Sequence, residues 1–474
     1  MEVSGKYYIK LFGIRLCKIK VINADYFEFY LFFLPLFTIR KNGRRININL
    51  LIVQKFYDSV KKNYKKIRAK QAKKQIIKRF QNGEKLKICF IVERPGTWCF
   101  DYLYKLLNED GRFEVYIFIM PDPAYGYYAT HDYIDAVYQE LEAKGYSPIR
   151  GIDLETDNFF DLAKDINPDM VYFTDFGRWH YYPQYYITNF LDKITFLTDY
   201  GFSVMNDKFV CTFELNQLVD RYYRATDFHK TFAEQLMKNK GANVVVTGSP
   251  KLDVLFDKNY TYQDVWKPQN KPKKRIIWAP HHSNADNGYQ NTDQWMMNGF
   301  MELCDFMLEV AERFKDEVQF VFRPHPILKS YLQKKWGDRM QQQYYDKWDK
   351  LENTQYYTGN FCDLFATSDA MIMDCLSFMA EYTAFDKPIF FTKTKNCRTP
   401  FNDFGAELYK NFYKPQTNLK EDIIKFIQEV VINGKDDKAA QRHLFVKQYF
   451  GKINGHTASE NIYNDIIKLL EGEK

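Results

Sequence analysis

From residue 86 onward, short apolar runs alternate with longer helix-forming stretches, and this alternation restricts the fold more than any other feature. Leu86–Val92 reads LKICFIV, an almost unbroken apolar run. A strand of that kind is covered on both faces, as the strands of a parallel sheet are. A helical stretch from Trp98 to Asn108 follows, then a strand from Glu114 to Met120 and a helix from Asp132 to Lys144. Further strands are expected at Asp169–Asp175, Ile194–Gly201, Phe209–Phe213 and Asn243–Pro250. A polar, proline-bearing stretch, Lys267–Lys274, precedes a second set: Arg275–Ala279, Glu317–Phe322, Asp369–Asp374 and Pro388–Thr392. Helical patterns at Asp293–Phe314 and Ile327–Tyr345 separate these, and residues 418–471 are mostly helical. The reading is an α/β chain with two doubly wound domains in tandem. They span 86–250 and 251–430, with C-terminal helices at 431–474. At 474 residues and 46% hydrophobic content the chain fills more than one core.

The first 85 residues differ in kind. They carry 21 Lys and Arg against 5 Asp and Glu, leaving 46 against 55 in the remainder. The overall charge of +7 therefore belongs to this extension, which points to a local anionic partner. Within residues 1–50, LFGIRLCKIK from Leu11 and LFFLPLFTIR from Leu31 align at an offset of 20, consistent with short alternating strands. Lys61–Arg79 holds ten basic residues, no acidic one and no Pro or Gly. It reads as a basic helix on which Phe56, Val60, Tyr64 and Ile67 share a face. Such a helix over residues 55–80 suits an anionic membrane surface, where each Lys or Arg contributes about 1 kcal/mol; a solvated connector is the plain alternative. No nucleic-acid reading motif accompanies the charge, so no nucleic-acid partner is expected.

The most apolar run, Phe29–Ile39, has 11 residues and contains Pro35. As a helix it would reach about 16 Å, roughly half a bilayer core, so no membrane-spanning helix is expected. The eight cysteines are scattered without a CxxC pair. A reduced, cytoplasmic setting follows, with neither a disulfide framework nor a zinc site.

Candidate chemistry sits where strands end, because ligands of doubly wound sheets bind beyond the carboxyl ends of the strands. Two strands end on Pro-His: Pro280-His281-His282 and Pro324-His325-Pro326. Proline stops a strand because it has no N–H for the ladder, and it fixes φ. The adjacent imidazole can then transfer a proton or donate to a phosphate, and Arg323 adds a forked donor suited to phosphate oxygens. A third strand ends at Asp374; Ser377 can cap the next helix, with Glu381 one turn in. Together these features favour a nucleotide diphosphate site. Thr247–Asp253 (TGSPKLD) makes a turn with Gly248 at the domain junction. Neither a GxGxxG fingerprint nor a Walker loop is present, so no NAD, ATPase chemistry or other cofactor is expected. No DxD pair marks a strand end, so no metal ligands are assigned and a divalent cation bridging phosphates is not required by the sequence.

Several segments carry a family resemblance: Trp98–Tyr104, Asp199–Phe202 (DYGF), GSPKLD, WAPHHS, FRPHP, DCLSFMAE and Asn454–Ile462 (NGHTASENI). The set resembles the CDP-glycerol glycerophosphotransferase family, which includes teichoic-acid primases and polymerases and relatives from capsule and lipopolysaccharide loci. The resemblance covers roughly Leu86–Leu470 and implies a GT-B-like fold. In that fold two Rossmann-like domains face a cleft and the C-terminal helices cross back to the first. It further implies a peripheral enzyme on the inner face of the cell membrane. The family's R-x-H-P histidine matches His325, with Arg323 beside it. Its donor-phosphate and ribose segment matches Asp374, Ser377 and Glu381, with Leu376 replacing a serine and Glu replacing an Asp. Gly248 and Lys251 fall on the donor side. The family's A-P-T loop matches Ala279-Pro280-His281.

One departure is marked. The W-H-G-T-P loop of polymerase members is absent, and the corresponding place reads LTDYGFSVMN, Leu197–Asn206. The base is then Asp199, His281 or His282. What the resemblance implies is transfer of glycerol phosphate, or a related polyol phosphate, from a CDP-linked donor to a surface-glycan or lipid-linked acceptor. The alternatives are a nucleotide-sugar glycosyltransferase of the same architecture and a non-catalytic membrane-bound scaffold.

Overall fold

The computed structural model describes residues 5–11, 14–23, 26–31, 34–40, 45–48, 67–93, 96–122, 127–175, 181–199, 201–206, 208, 210–282, 299–393 and 401–472. The chain forms two compact units, Met1–Gln75 and Ile76–Lys474.

In the first unit β1 (Gly5–Leu11), β2 (Ile14–Asn23), β3 (Tyr26–Leu31), β4 (Leu34–Arg40) and β5 (Arg45–Ile48) pair in chain order as an antiparallel meander. The 20-residue repeat has a backbone counterpart. Each repeat begins at the turn of a hairpin, and the register slips at Ile9/Lys10 in the first hairpin and at Phe29/Tyr30 in the second, again 20 positions apart. Helix α1 occupies residues 67–81; Phe56, Val60 and Tyr64, with the basic residues up to position 66, lie outside the described residues. Ile67, expected on an apolar face, is 58% exposed. The end of α1, from Ile76 onward, belongs to the second unit. There Ile76 and Phe80 are buried in the core beneath the first parallel sheet, and Phe80 stacks on Phe113.

The second unit holds two parallel sheets. The first contains β6 (Leu86–Val92), β7 (Phe113–Ile119), β8 (Ile149–Arg150), β9 (Met170–Phe173), β10 (Ile194–Thr198), β11 (Arg221–Arg224) and β12 (Val244–Val246). Their order is β12-β11-β10-β9-β6-β7-β8. The second contains β13 (Lys274–Ala279), β14 (Val318–Phe322), β15 (Thr354–Tyr356), β16 (Ala370–Met373) and β17 (Ile389–Phe391), in the order β15-β14-β13-β16-β17. In both, the chain starts at a central strand, winds one way, then crosses to wind the other. The switch points lie between β6 and β9 and between β13 and β16.

Two expectations are corrected, and some short strands were not foreseen. Phe209–Phe213 is not a strand: Val210–Thr212 forms a 3-10 turn, and the strand paired with β10 is β11. The apolar run misled because periodicity alone cannot separate a short buried strand from a packed turn. Strands β8, β11 and β15 went unread, being two to four residues long. The helix expected over Ile327–Tyr345 is two helices, α2 (Pro326–Trp336) and α3 (Asp338–Lys350), broken at Gly337, whose φ is 79°. The helix expected from Asp293 is described from Phe300 to Arg313.

The last helix, α4 (Ala458–Glu471), leaves the second half and packs on the first. Its Ile462, Ile466 and Leu470 are fully buried in the core that also holds Phe90, Phe100 and Tyr172. Asp253 accepts the Ala458 and Ser459 N–H groups at 2.9 and 2.8 Å, so its carboxylate holds the start of α4. Gly248, at φ 90°, brings the turn after β12 so close that a Cβ there would sit 3.2 Å from the Ala458 methyl. Among the described residues no helix is long and apolar enough to cross a membrane, and the cysteines Cys89, Cys99, Cys211, Cys304, Cys362 and Cys375 are free.

Candidate active site

The switch point of the second sheet gathers the two Pro-His corners. Register sets this up: Trp278 at the end of β13 lies beside Phe322 of β14 and Ile372 of β16. The three chains therefore leave the sheet at the same edge. Backbone bonds then lock the loops together. Arg323 N–H donates to the Trp278 carbonyl at 2.9 Å, and His325 N–H donates to the Pro280 carbonyl at 3.0 Å. Asp374 braces the same loops from the other side, accepting from His281 N–H at 2.6 Å and Gly299 N–H at 2.5 Å. It is 1% exposed, and burial pushes its carboxyl up to about 7 against the pull of those N–H groups. Expected to touch a donor, Asp374 instead spends both oxygens on loop geometry.

Three imidazoles meet on this frame. Ring centroids lie 4.2 Å apart for His281–His282, 4.3 Å for His282–His325 and 4.9 Å for His281–His325. Burial lowers the pKa of His281 well below the ordinary histidine value, with repulsion from the other two rings adding to it. Burial alone brings His282 down to about 4. Both are neutral at pH 7 and able to accept a proton. His325 is also the cap of α2, its Nδ1 accepting from Ile327 N–H at 3.3 Å with Pro326 as the first helical residue. That bond directs the neutral ring's proton to Nε2.

Arg323 lies in the same loop. Its Nη1 donates to the Tyr357 carbonyl at 3.3 Å, and its guanidinium carbon sits 5.6 Å from the Tyr357 ring and 5.7 Å from the Phe378 ring. Burial lowers its pKa to about 10, so it stays charged at pH 7. Among the described residues no carboxylate forms an ion pair with it. A desolvated guanidinium framed by aromatic rings is built to receive an anion. Phe378 belongs to the turn Leu376–Phe378, so the segment carrying Ser377 borders Arg323. That turn starts at Cys375 without a side-chain cap; the Ser377 side chain lies outside the described residues.

The remaining candidates gather at the seam between the two sheets. Lys251 Nζ and Glu381 Oε1 are 3.3 Å apart, both buried, and a Cβ on Gly201 would sit 3.1 Å from the same Glu381 oxygen. Burial raises the Glu381 pKa, with Lys251 opposing it. Two donor-side candidates thus pair with each other. Asp199, at the end of β10, accepts from the Tyr222 hydroxyl at 2.8 Å and from the Arg224 guanidinium. It is a buried ion pair with a pKa raised by desolvation and held back by Arg224, which is a poor arrangement for a free general base. Gly248 lets α4 approach and also lines a small recess at the seam with Asp199, Gly201 and His229.

Sequence reading missed the seam itself. Asn402 Nδ2 donates to the Ser203 carbonyl at 2.7 Å and Asn402 N–H to the Val204 carbonyl at 3.1 Å. His229, fully enclosed and brought down to about 3 by burial, bridges Thr226 and the Ser203 carbonyl. Partners some 200 residues apart leave no local signal. It also missed Glu93 at the end of β6, fully buried and accepting from Thr174 Oγ1 at 3.0 Å and the Tyr181 hydroxyl at 2.6 Å. Its place after the first strand was the available signal.

Residues 202–468 match the sequence model of the CDP-glycerol:poly(glycerophosphate) glycerophosphotransferases, more than half of the chain. The chain belongs to this family. Among curated relatives, the teichoic acid ribitol-phosphate polymerase TarL of Staphylococcus aureus is 29% identical over 157 residues, 32% of this chain and 25% of TarL. TarK of the same organism is 27% identical over 237 residues, 48% of this chain and 41% of TarK. The matched part thus spans less than half the length of either relative. The family's GT-B architecture is borne out in three dimensions. The wall teichoic acid polymerase TagF (H548A) superposes with a TM-score of 0.51 at 13% identity, covering 89% of this chain and 99% of that one. The UDP-GlcNAc 2-epimerase of Neisseria meningitidis gives 0.53 at 14% identity, covering 81% and 100%.

Proposed function

We propose that this chain transfers glycerol phosphate, or a related polyol phosphate, from a CDP-linked donor to a hydroxyl of a surface-glycan or lipid-linked acceptor. The observation that carries the reading is the charge at the second switch point: a desolvated Arg323 without a carboxylate partner among the described residues, in one loop with His325. Family membership supports it, the family's description naming CDP-glycerol. In the reaction the acceptor oxygen bonds to the phosphorus that bears the polyol. The bond from that phosphorus to the bridging oxygen breaks, and CMP leaves. Arg323 stabilises the charge gathering on the leaving phosphate, and His325 Nε2–H donates to it. The acceptor proton goes to a neutral imidazole, His282 or His281, in preference to the ion-paired Asp199. Ser377 and the turn around it line the diphosphate, and the Lys251–Glu381 pair borders the nucleoside end. The basic sequence of residues 55–80 supports placement at the inner membrane face, where lipid-linked acceptors are presented.

The test is direct. CDP-glycerol, UDP-sugars and GDP-sugars are compared for protection against thermal unfolding, and CMP release is followed with the preferred donor. His325→Ala should lower turnover about 10²-fold or more; unchanged turnover removes it from the mechanism. Preference for a UDP- or GDP-sugar would move the chain to the nucleotide-sugar glycosyltransferases, and failure of every nucleotide to bind would make it a scaffold.

A further inference from the structure

We propose that His281, His282 and His325 form a three-imidazole site for one divalent transition-metal ion of the zinc type. The sequence alone pointed away from metal, since the chain has no ligand pair at zinc-finger spacing and no acidic pair at a strand end. The fold supplies what spacing hides. Two adjacent ligands follow β13, and a third, more than 40 positions on, follows β14. One nitrogen from each ring can be chosen so that all three lie within 4.8 Å of one another. Tetrahedral coordination with metal–nitrogen bonds of about 2.0–2.1 Å places such atoms about 3.4 Å apart. The gap closes by ring shifts of about an ångström.

The frame is prepared for this. Asp374 pins the His281 backbone, His325 N–H is tied to Pro280, and proline stands before His281 and on both sides of His325. His325 is the ring that changes most. A metal on its Nε2 moves the remaining proton to Nδ1 and so ends the acceptor contact with Ile327 N–H, already long at 3.3 Å. Imidazole nitrogens select zinc, cobalt, nickel or copper over magnesium and calcium. Three protein ligands leave a fourth position open, which is the pattern of a catalytic rather than a structural metal. Metal binding stands without the transferase reading. Assigning the open position to a phosphate oxygen of the donor rests on that reading; in the loaded site the three rings are ligands and not proton carriers, so the ion takes the part of His325 towards the leaving phosphate and the acceptor proton passes to solvent.

The experiment uses the full chain without a polyhistidine tag, stripped with chelator and titrated with Co²⁺, then Zn²⁺, in the absence of nucleotide. The expected result is one cobalt per chain with the visible absorption of a tetrahedral site, displaced by zinc. His282→Ala and His325→Asn should each weaken zinc binding about a hundredfold or more. Asparagine is chosen at 325 because it caps helices well, so α2 keeps its start while the ligand is lost; thermal melts verify the fold. No stoichiometric uptake by the folded wild type, uptake unchanged in both variants, or a preference for Mg²⁺ over Zn²⁺ would each overturn the site. Nucleotide protection run with and without zinc separates the two readings. Metal without nucleotide binding leaves the site and removes the transferase. Nucleotide binding without metal does the reverse.

Discussion

The two switch points share a topology and differ in charge. Both sheets start at a central strand and reverse beside it, yet the ends of the first sheet's strands carry Glu93, Asp122, Asp175 and Asp199, each buried or nearly so. The second sheet's corresponding ends carry Arg323 and three histidines. One edge is acidic and internally satisfied: Glu93 is held by a threonine and a tyrosine, and Asp199 by Arg224 and Tyr222. The other is basic, and its one carboxylate, Asp374, is turned to backbone N–H groups. The doubly wound frame thus fixes where a ligand edge lies without fixing what binds there. Side chains decide that, and the proposed function puts the anion at the second edge.

The largest expected effect tests that assignment. Arg323→Ala should lower kcat/KM for CMP release about 10³-fold, about 4 kcal/mol of transition-state stabilisation. Glu93→Gln should leave nucleotide protection unchanged within about twofold, since its carboxylate belongs to the other edge. Equal losses of nucleotide affinity from both would break the comparison. Next in size is Asp199→Asn, which strands the buried Arg224 guanidinium and should cost about 3 kcal/mol in urea unfolding. If it instead abolished turnover with stability intact, Asp199 would be the base after all and the first edge would be catalytic. Gly248→Ala should cost about 2 kcal/mol through its positive φ and the Ala458 contact. The loss should appear in stability and leave donor affinity alone; a donor-specific defect would return Gly248 to the cleft.

The strand-to-helix alternation was legible because buried parallel strands are long apolar runs, and β6, β7, β13 and β14 were found within a residue or so. The edge strands β8 and β15 were too short to carry a pattern. Within the site, the convergence of His281, His282 and His325 could be read from two Pro-His strand ends, because register brings such ends to one edge. The partners of Asp374 and Glu381 within the chain could not be read from sequence. A carboxylate after a strand looks alike in sequence whether it faces a ligand or the backbone of a neighbouring loop. The seam was illegible because Ser203 meets Asn402, and Lys251 meets Glu381, only in the folded chain.

The smallest effect concerns the joint that holds the halves together, and it is a slope rather than an offset. Asp253 caps α4 with both oxygens, yet burial raises its carboxyl to about 6, the Ala458 and Ser459 N–H groups pulling the other way. An acid whose folded pKa exceeds its unfolded value of about 3.9 binds more protons when folded between those two values. Its contribution to stability is therefore greatest below about pH 4, falls as pH rises to about 6, and is constant above. Other carboxylates titrate in the same window, so the informative quantity is the difference between the wild-type and Asp253→Asn unfolding free energies. That difference should decline from pH 4 to pH 6. A difference that grew instead would mean the two N–H groups outweigh burial. The joint would then be held by a charged cap, as the acidic edge of the first half is held by charged and hydroxyl partners.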